Sequence, residues 1–389
     1  MRLLFRGAQD IHGRGLDVAV TGGGAFAQPS LSGLDFDRVI DMAGCVVFPG
    51  FADAHVHLRE PGFSYKETIF AGTRAAARAG CGVLCAMPNL DPAPDDREHL
   101  ETQLAVIRRD AAVRVIPFGS ITRGRGGPEL SRMEEMAPFV AGYSDDGCGV
   151  PDDALMRRAM LEAKRLHKVI SQHCEVPGIP GTDPESEWRM AERDIRLCEE
   201  TGCRYHICHV SSRVTVDLVR RAKQRGLPVT CETAPHYLLL NRSNVQDDGR
   251  FKMNPPIREE EDRLALVEGV LDGTVDAIAT DHAPHSAEEK SRGFEKSTSG
   301  IVGLETAFPV LWKSGLFPLD TLVKAMSHRP REIFSLPSDG DFAFFDLDAE
   351  SVIDPARFLS LGRSTPFEGW TGRGRCRANI VAGQVAWME

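Results

Sequence analysis

No apolar run among the 389 residues approaches the ~20 needed to span a bilayer. Met1 to Asp10 carry neither a long apolar core nor a cleavage site, so the start reads without a signal peptide. Positive charge is in deficit. Lys and Arg number 46 against 56 Asp and Glu, a formal net charge of −10. That balance argues against nucleic acid and anionic membrane surfaces as partners. The ten cysteines are scattered, and none forms a Cys-x-x-Cys pair. The expectation is free thiols in a reducing cytoplasm, not a disulfide framework or a zinc knuckle. No glycine-rich loop follows the first apolar strand run, which argues against a dinucleotide-binding open sheet.

What is present is organised around residues 47–62, an apolar run that ends in His55-Val56-His57. Residues i and i+2 of a strand share a face. The two imidazoles therefore stand side by side at the end of a buried strand, a pairing that suits Zn²⁺ or a similar metal. Seven more apolar runs of strand length follow: Gly82–Pro88, Val113–Gly119, Phe139–Ser144, Val169–His173, Tyr205–His209, Pro228–Glu232 and Val275–Asp281. Helical stretches separate most of them, including Arg97–Arg109, Asp153–His167 and Arg213–Arg225. Gly80, Gly202, Gly226 and Gly273 stand where helix C-termini are expected. Eight alternations predict an α/β fold, a (β/α)₈ TIM-type barrel over residues 47–337. Residues 1–46 and 338–389 read as strands without helical period. They predict one small β-sandwich domain built from both chain ends, its N-terminal part antiparallel.

Barrel chemistry lies at the C-terminal strand ends. Those ends carry His55 and His57, Asn89, Asp145 and Asp146, His173, His206 and His209, then Asp281, followed by His282 and His285. Buried imidazoles and carboxylates cost free energy unless they are paired or bind metal. Gathered at one mouth, they predict a metal site. Four His and two carboxylates suffice for two ions sharing a bridging carboxylate and a hydroxide nucleophile. Asp145 reads as a loop cap, and His206, His236 and His282 as structural.

The runs Asp53–Gly62, Lys66-Glu-Thr68, Ala86–Asn89, Ser144–Gly147, His173-Cys-Glu175, His206–Ser211, Asn254–Arg258, Ala279–His285 and Gly300–Gly303 resemble those of dihydroorotases, within the amidohydrolase superfamily, over nearly the whole chain. The resemblance implies a hydrolase of pyrimidine biosynthesis. Its reaction is the reversible cyclisation of N-carbamoyl-L-aspartate to L-dihydroorotate, by a metal-activated hydroxide with an Asp general acid/base. It makes His55 and His57 ligands of the more buried metal and Asp146 the bridge. His173 and His209 hold the second metal, and Asp281 is both ligand and general acid/base. One or two Zn²⁺ per chain are implied. Arg59, Asn89 and His285 grip the substrate carboxylate; Asn254 and the backbone near Ser299 and Gly300 hold the ring. A homodimer and a complex with aspartate carbamoyltransferase stay open, as does Glu175 as support.

The chain departs from the family in a short connection after Glu175 and in Ser299, where Phe is common. Related hydantoinases and allantoinases bridge their metals with a carboxylated lysine. No lysine lies between Arg114 and Ala163, which favours Asp146 as the bridge. Two alternatives stand beside this reading: a hydantoinase- or allantoinase-like amidohydrolase, and a non-catalytic structural partner of aspartate carbamoyltransferase.

Overall fold

The computed structural model describes residues 1–31 and 33–389. The chain opens with β1 (Leu3–Gln9), β2 (Gly15–Thr21), β3 (Gly24–Gln28), β4 (Arg38–Asp41) and β5 (Val46–Phe48). After the barrel come β14 (Phe342–Val352), β15 (Thr371–Val381) and β16 (Gln384–Met388). These eight form one sheet in the order β16-β15-β14-β5-β1-β2-β3, with β4 beside β1. Its N-terminal part is mixed, not antiparallel as the sequence suggested. β1 is antiparallel to β2 but parallel to β4 and β5. A hairpin would have reversed β4. The longer link after β3 lets the chain cross over instead. Alternation on these strands buries Phe5, Val18, Val47, Phe344 and Ile380 in a core of their own.

The apolar runs between these two sets become eight parallel strands. They are β6 (Phe51–Val56), β7 (Cys81–Ala86), β8 (Arg114–Pro117), β9 (Gly142–Tyr143), β10 (Val169–Gln172), β11 (Arg204–Ile207), β12 (Val229–Thr233) and β13 (Ala277–Ile278). Each pairs with its sequence neighbours, except at two short seams. Parallel bridges Gly119↔Tyr143 and Val56↔His282 close those seams into a barrel. β6 is buried on both faces throughout, as a barrel strand covered by helices must be.

The helices form for local reasons. Arg213–Gln224 starts at Ser212, whose side chain accepts from the Val214 N–H, and buries Thr215, Val216, Val219 and Ala222 along one stripe. The four glycines expected at helix ends all have left-handed φ, from 67° to 82°. Among the described residues no helix is long and apolar enough to cross a membrane.

Phe48 and Phe345 of the sheet stack with centroids 5.0 Å apart, and Phe51 and Phe308 of the barrel part pack beside them. Truncating such a buried ring costs about 3–5 kcal/mol. The cluster therefore fastens the sheet to the barrel at the N-terminal end of β6, leaving the opposite end free for a site.

Candidate active site

Every residue expected at the site except His55 lines one pocket of about 230 Å³ at the C-terminal mouth of the barrel. His55 lies beneath it, fully buried. Strand pleat puts His55 and His57 on one face, ring centroids 5.3 Å apart. The backbone of His57 is fixed by donating to the His282 carbonyl at 2.8 Å. Below them Asp53 accepts from the Thr280 N–H and hydroxyl at 3.1 and 2.6 Å. Burial pushes its carboxyl up to about 6, against those hydrogen bonds.

Three imidazoles are locked by partners on their far nitrogens. His55 Nδ1 is 2.8 Å from Glu232 Oε1, His57 Nδ1 is 2.8 Å from Asn89 Oδ1, and His173 Nε2 is 2.8 Å from Glu175 Oε2. Each partner accepts, so each of these nitrogens donates, and in the neutral imidazole that binds a metal the opposite nitrogen bears a lone pair. Those lone pairs converge on carboxylates. His55 Nε2 is 3.4 Å from Asp146 Oδ1 and 3.6 Å from Asp281 Oδ1. His57 Nε2 is 3.2 Å from Asp281 Oδ1, and His173 Nδ1 is 3.8 Å from Asp146 Oδ1. His209 Nε2 joins them, 3.0 Å from His173 Nδ1 and 3.6 Å from Asp146 Oδ1.

Lone pairs facing anions repel unless a cation lies between them. Ligand atoms at ~2.0–2.1 Å from Zn²⁺ stand roughly 3.3 Å apart across a tetrahedron, close to these spacings. Among the described residues, His55 Nε2 and Asp146 Oδ1 are buried without a hydrogen-bond partner. The donor set thus fits a divalent metal. Two groups, His55–His57–Asp146 and Asp146–His173–His209, share Asp146, the arrangement of a two-metal site with one bridging carboxylate.

The strand ends are strained where they turn into the pocket. Arg59, His209 and Asp281 have φ of 61°, 34° and 48°. Such backbone costs of order 1–3 kcal/mol per residue and clusters at functional sites. Arg59 spends its Nε on the Pro284 carbonyl at 3.1 Å, and its guanidinium lines the pocket. Burial lowers this group to about 10, opposed by Asp281 and Asp146, and it stays cationic. Asn254 donates to Glu175 Oε2 at 2.7 Å. Hydrogen bonds from His173 and Asn254 hold the Glu175 carboxyl down at about 2 despite its partial burial.

Other strand-end residues turn away. Asp145 accepts from the N–H groups of Ile121, Thr122 and Gly126 at 2.8, 3.2 and 3.2 Å, and so caps that loop. His206 lies 3.2 Å from Glu232, and His282 Nδ1 accepts from the Gly303 N–H. The sequence analysis missed Glu232. Its one signal was a carboxylate closing a buried apolar run, Pro228–Glu232. It also gave Asn89 only a substrate role, whereas Asn89 also fixes His57. Lys66 stood in one of the family-like runs but received no role, and Lys290, which donates to the carbonyls of Lys252, Thr298 and Gly300, left no signal beyond an ordinary charge.

Comparison with known proteins agrees with this chemistry. A family model described as dihydro-orotase-like matches residues 44–193. The dihydroorotase of Anoxybacillus flavithermus is 44% identical, with 91% of this chain and 90% of the relative covered. That of Bacillus thuringiensis is 42% identical over the same shares. Among solved structures, the L-hydantoinase (dihydropyrimidinase) of Arthrobacter aurescens superposes with a TM-score of 0.88 at 24% identity, covering 98% of this chain and 95% of that one. The dihydropyrimidinase of Brevibacillus agri gives 0.88 at 20%, covering 99% and 95%. At such identity the structural likeness speaks for the barrel and sandwich alone. The sequence likeness runs nearly end to end and spans the barrel mouth, and on that ground the chain belongs to the dihydroorotase family.

Proposed function

We infer that this protein is a dihydroorotase, catalysing the reversible cyclisation of N-carbamoyl-L-aspartate to L-dihydroorotate in pyrimidine biosynthesis. The observation that carries the reading is the convergence of lone pairs from His55, His57 and His173 on Asp146 and Asp281, beside a buried cationic fork at Arg59. The catalytic unit of this reading is the expected span 47–337 less Val47 and Phe48, which β5 carries into the β unit of residues 1–46 and 338–389.

His55, His57, Asp146, His173, His209 and Asp281 hold one or two Zn²⁺. A bound cation supplies Lewis acidity toward the scissile carbonyl and toward water. The chain's own residues do the rest. Arg59 takes the substrate carboxylate in a bidentate, charge-assisted grip, and Asn89 and His285 add donors to it. Asn254 and the backbone at Ser299 and Gly300 hold the ring. In the hydrolytic direction Asp281 takes a proton from the attacking water and delivers it to the ring nitrogen as the amide bond breaks. In cyclisation the same carboxylate removes a proton from the carbamoyl NH₂ and returns it to the carboxyl oxygen that departs as the ring amide forms. One carboxylate can serve both directions because each leaves it in the state the reverse step needs.

The test is metal analysis of the purified protein together with a dihydroorotate hydrolysis assay. The expected content is one to two zinc-like ions per chain. His55→Ala and His57→Ala are each expected to lose metal and turnover together; full activity in a verified metal-free sample sinks the reading. Gel filtration of the metal-loaded protein, alone and with aspartate carbamoyltransferase, tests the two partners that the resemblance leaves open.

A further inference from the structure

His285 is gripped from both edges of its ring. Its Nδ1 lies 3.3 Å from Lys66 Nζ, and its Nε2 lies 2.9 Å from the Ser299 carbonyl oxygen. An ammonium only donates and a carbonyl only accepts. Nδ1 therefore accepts from Lys66, and Nε2 carries the ring proton. Lys66 is itself fixed. Its Nζ pairs with Glu289 Oε1 at 2.8 Å, with only 13% of its side chain exposed. Glu289 is pinned by a reciprocal capping box with Ser286 at the start of the helix Ala287–Lys290.

Other neighbours bear on the same ring. Arg59 Nη2, a donor, stands 3.2 Å from Nε2 and by itself favours a lone pair there, but the Ser299 oxygen is closer and accepts only. Burial, then the charges of Arg59 and Lys66, push the imidazole down to about 3, so it stays neutral. Glu289 Oε2 lies 3.4 Å from Nδ1 and by itself favours a proton there. Lys66, closer to Nδ1 and donor-only, decides against it.

We propose that Lys66 is a positioning residue that fixes His285 as the neutral Nε2–H tautomer, so that its one N–H, shared with the Ser299 carbonyl, is offered to the substrate carboxylate and His285 takes no part in proton transfer. The consequence for substrate rests on the dihydroorotase reading; the tautomer does not. A second donor beside Arg59 suits a carboxylate, which offers lone pairs to both. The opposite tautomer would turn a lone pair toward the same anion.

The experiment uses the metal-loaded full chain labelled with ¹⁵N-histidine, its His285 signals assigned by comparison with His285→Asn. Two-bond ¹H–¹⁵N correlations are expected to show Nε2 protonated and Nδ1 bare in the unaltered protein. Lys66→Met is expected to move the proton to Nδ1, beside Glu289, or to leave the ring doubly protonated. Lys66→Arg keeps a donor at Nδ1 and is expected to keep the original pattern. In kinetics, Lys66→Met should raise KM for dihydroorotate about tenfold, the scale of one charge-assisted hydrogen bond, with kcat within about twofold. Added to His285→Asn, it should raise KM less than about twofold, because contacting pairs are non-additive. A bare Nε2 or an imidazolium in the unaltered protein overturns the proposal. So does an unchanged tautomer in Lys66→Met, or an equal KM rise with and without His285. A metal-loaded wild type that fails to turn over dihydroorotate overturns the functional reading instead, and the tautomer measurement still decides the role of Lys66.

Discussion

Glu232 holds His55 by its far nitrogen, Oε1 to Nδ1 at 2.8 Å, with both side chains buried and the His55 Nε2 turned toward Asp146. A carboxylate behind an imidazole fixes its tautomer and raises its basicity as a ligand. Removing such a partner costs about 10–100-fold in metal affinity. Glu232→Gln is therefore expected to keep the fold and to lose metal at chelator concentrations the wild type withstands, as read by metal content after dialysis. An unchanged chelator profile would mean that Glu232 serves packing alone.

Asp281→Asn separates proton transfer from metal binding. The other five ligands remain, so at least the more buried ion is expected to be retained. Turnover should fall by roughly 10²–10⁴-fold, the scale for losing a positioned acid–base group. The acidic limb of the hydrolysis profile should vanish with the ionisable carboxyl. His285 offers no substitute, since in the Nε2–H tautomer its one lone pair, on Nδ1, is taken by Lys66. A metal-loaded variant with near-normal turnover and an intact acidic limb would place the proton transfer on another group.

Arg59→Met tests the carboxylate grip. A charge-assisted contact contributes about 1.5–3 kcal/mol, or roughly 10–100-fold in binding. KM for dihydroorotate is expected to rise on that scale, while an uncharged cyclic imide is affected far less. Equal loss for both would mean that Arg59, with its φ of 61° and its bond to the Pro284 carbonyl, only supports the loop.

Lys290 gives a pH dependence. Its Nζ donates to the carbonyls of Lys252, Thr298 and Gly300 at 3.1, 2.8 and 2.7 Å, tying together the loops that carry Asn254 and Ser299. Burial lowers this ammonium to about 8, below the ~10.4 of a free lysine. As pH rises through about 8, the folded chain sheds the proton before the unfolded chain would, so global stability is not lost in that window. The three-carbonyl clamp is lost. KM is expected to climb above pH 8 while thermal stability holds or improves. In Lys290→Met, KM should be raised several-fold and stay flat over that range. A wild-type KM that is flat from pH 7 to 9.5 would refute the clamp.

The sequence by itself determined which side chains stand at the barrel mouth. Strand pleat puts His55 beside His57, and the ends of the other apolar runs deliver Asp146, His173, His209 and Asp281 to the same rim. Those are local properties, of period two and of where an apolar run stops. The tertiary structure decided what lies behind each of them. Glu232 reaches His55 across 177 positions of sequence, and Lys66 reaches His285 across 219. The family-like runs include Lys66 and His285 but nothing in the chain pairs them, or Glu232 with His55, because a buried carboxylate or ammonium has no marked partner until a closed barrel brings distant segments within hydrogen-bonding distance. Ring closure through Val56↔His282 makes those neighbours. It also selects the tautomer of each imidazole, which residue type alone leaves open.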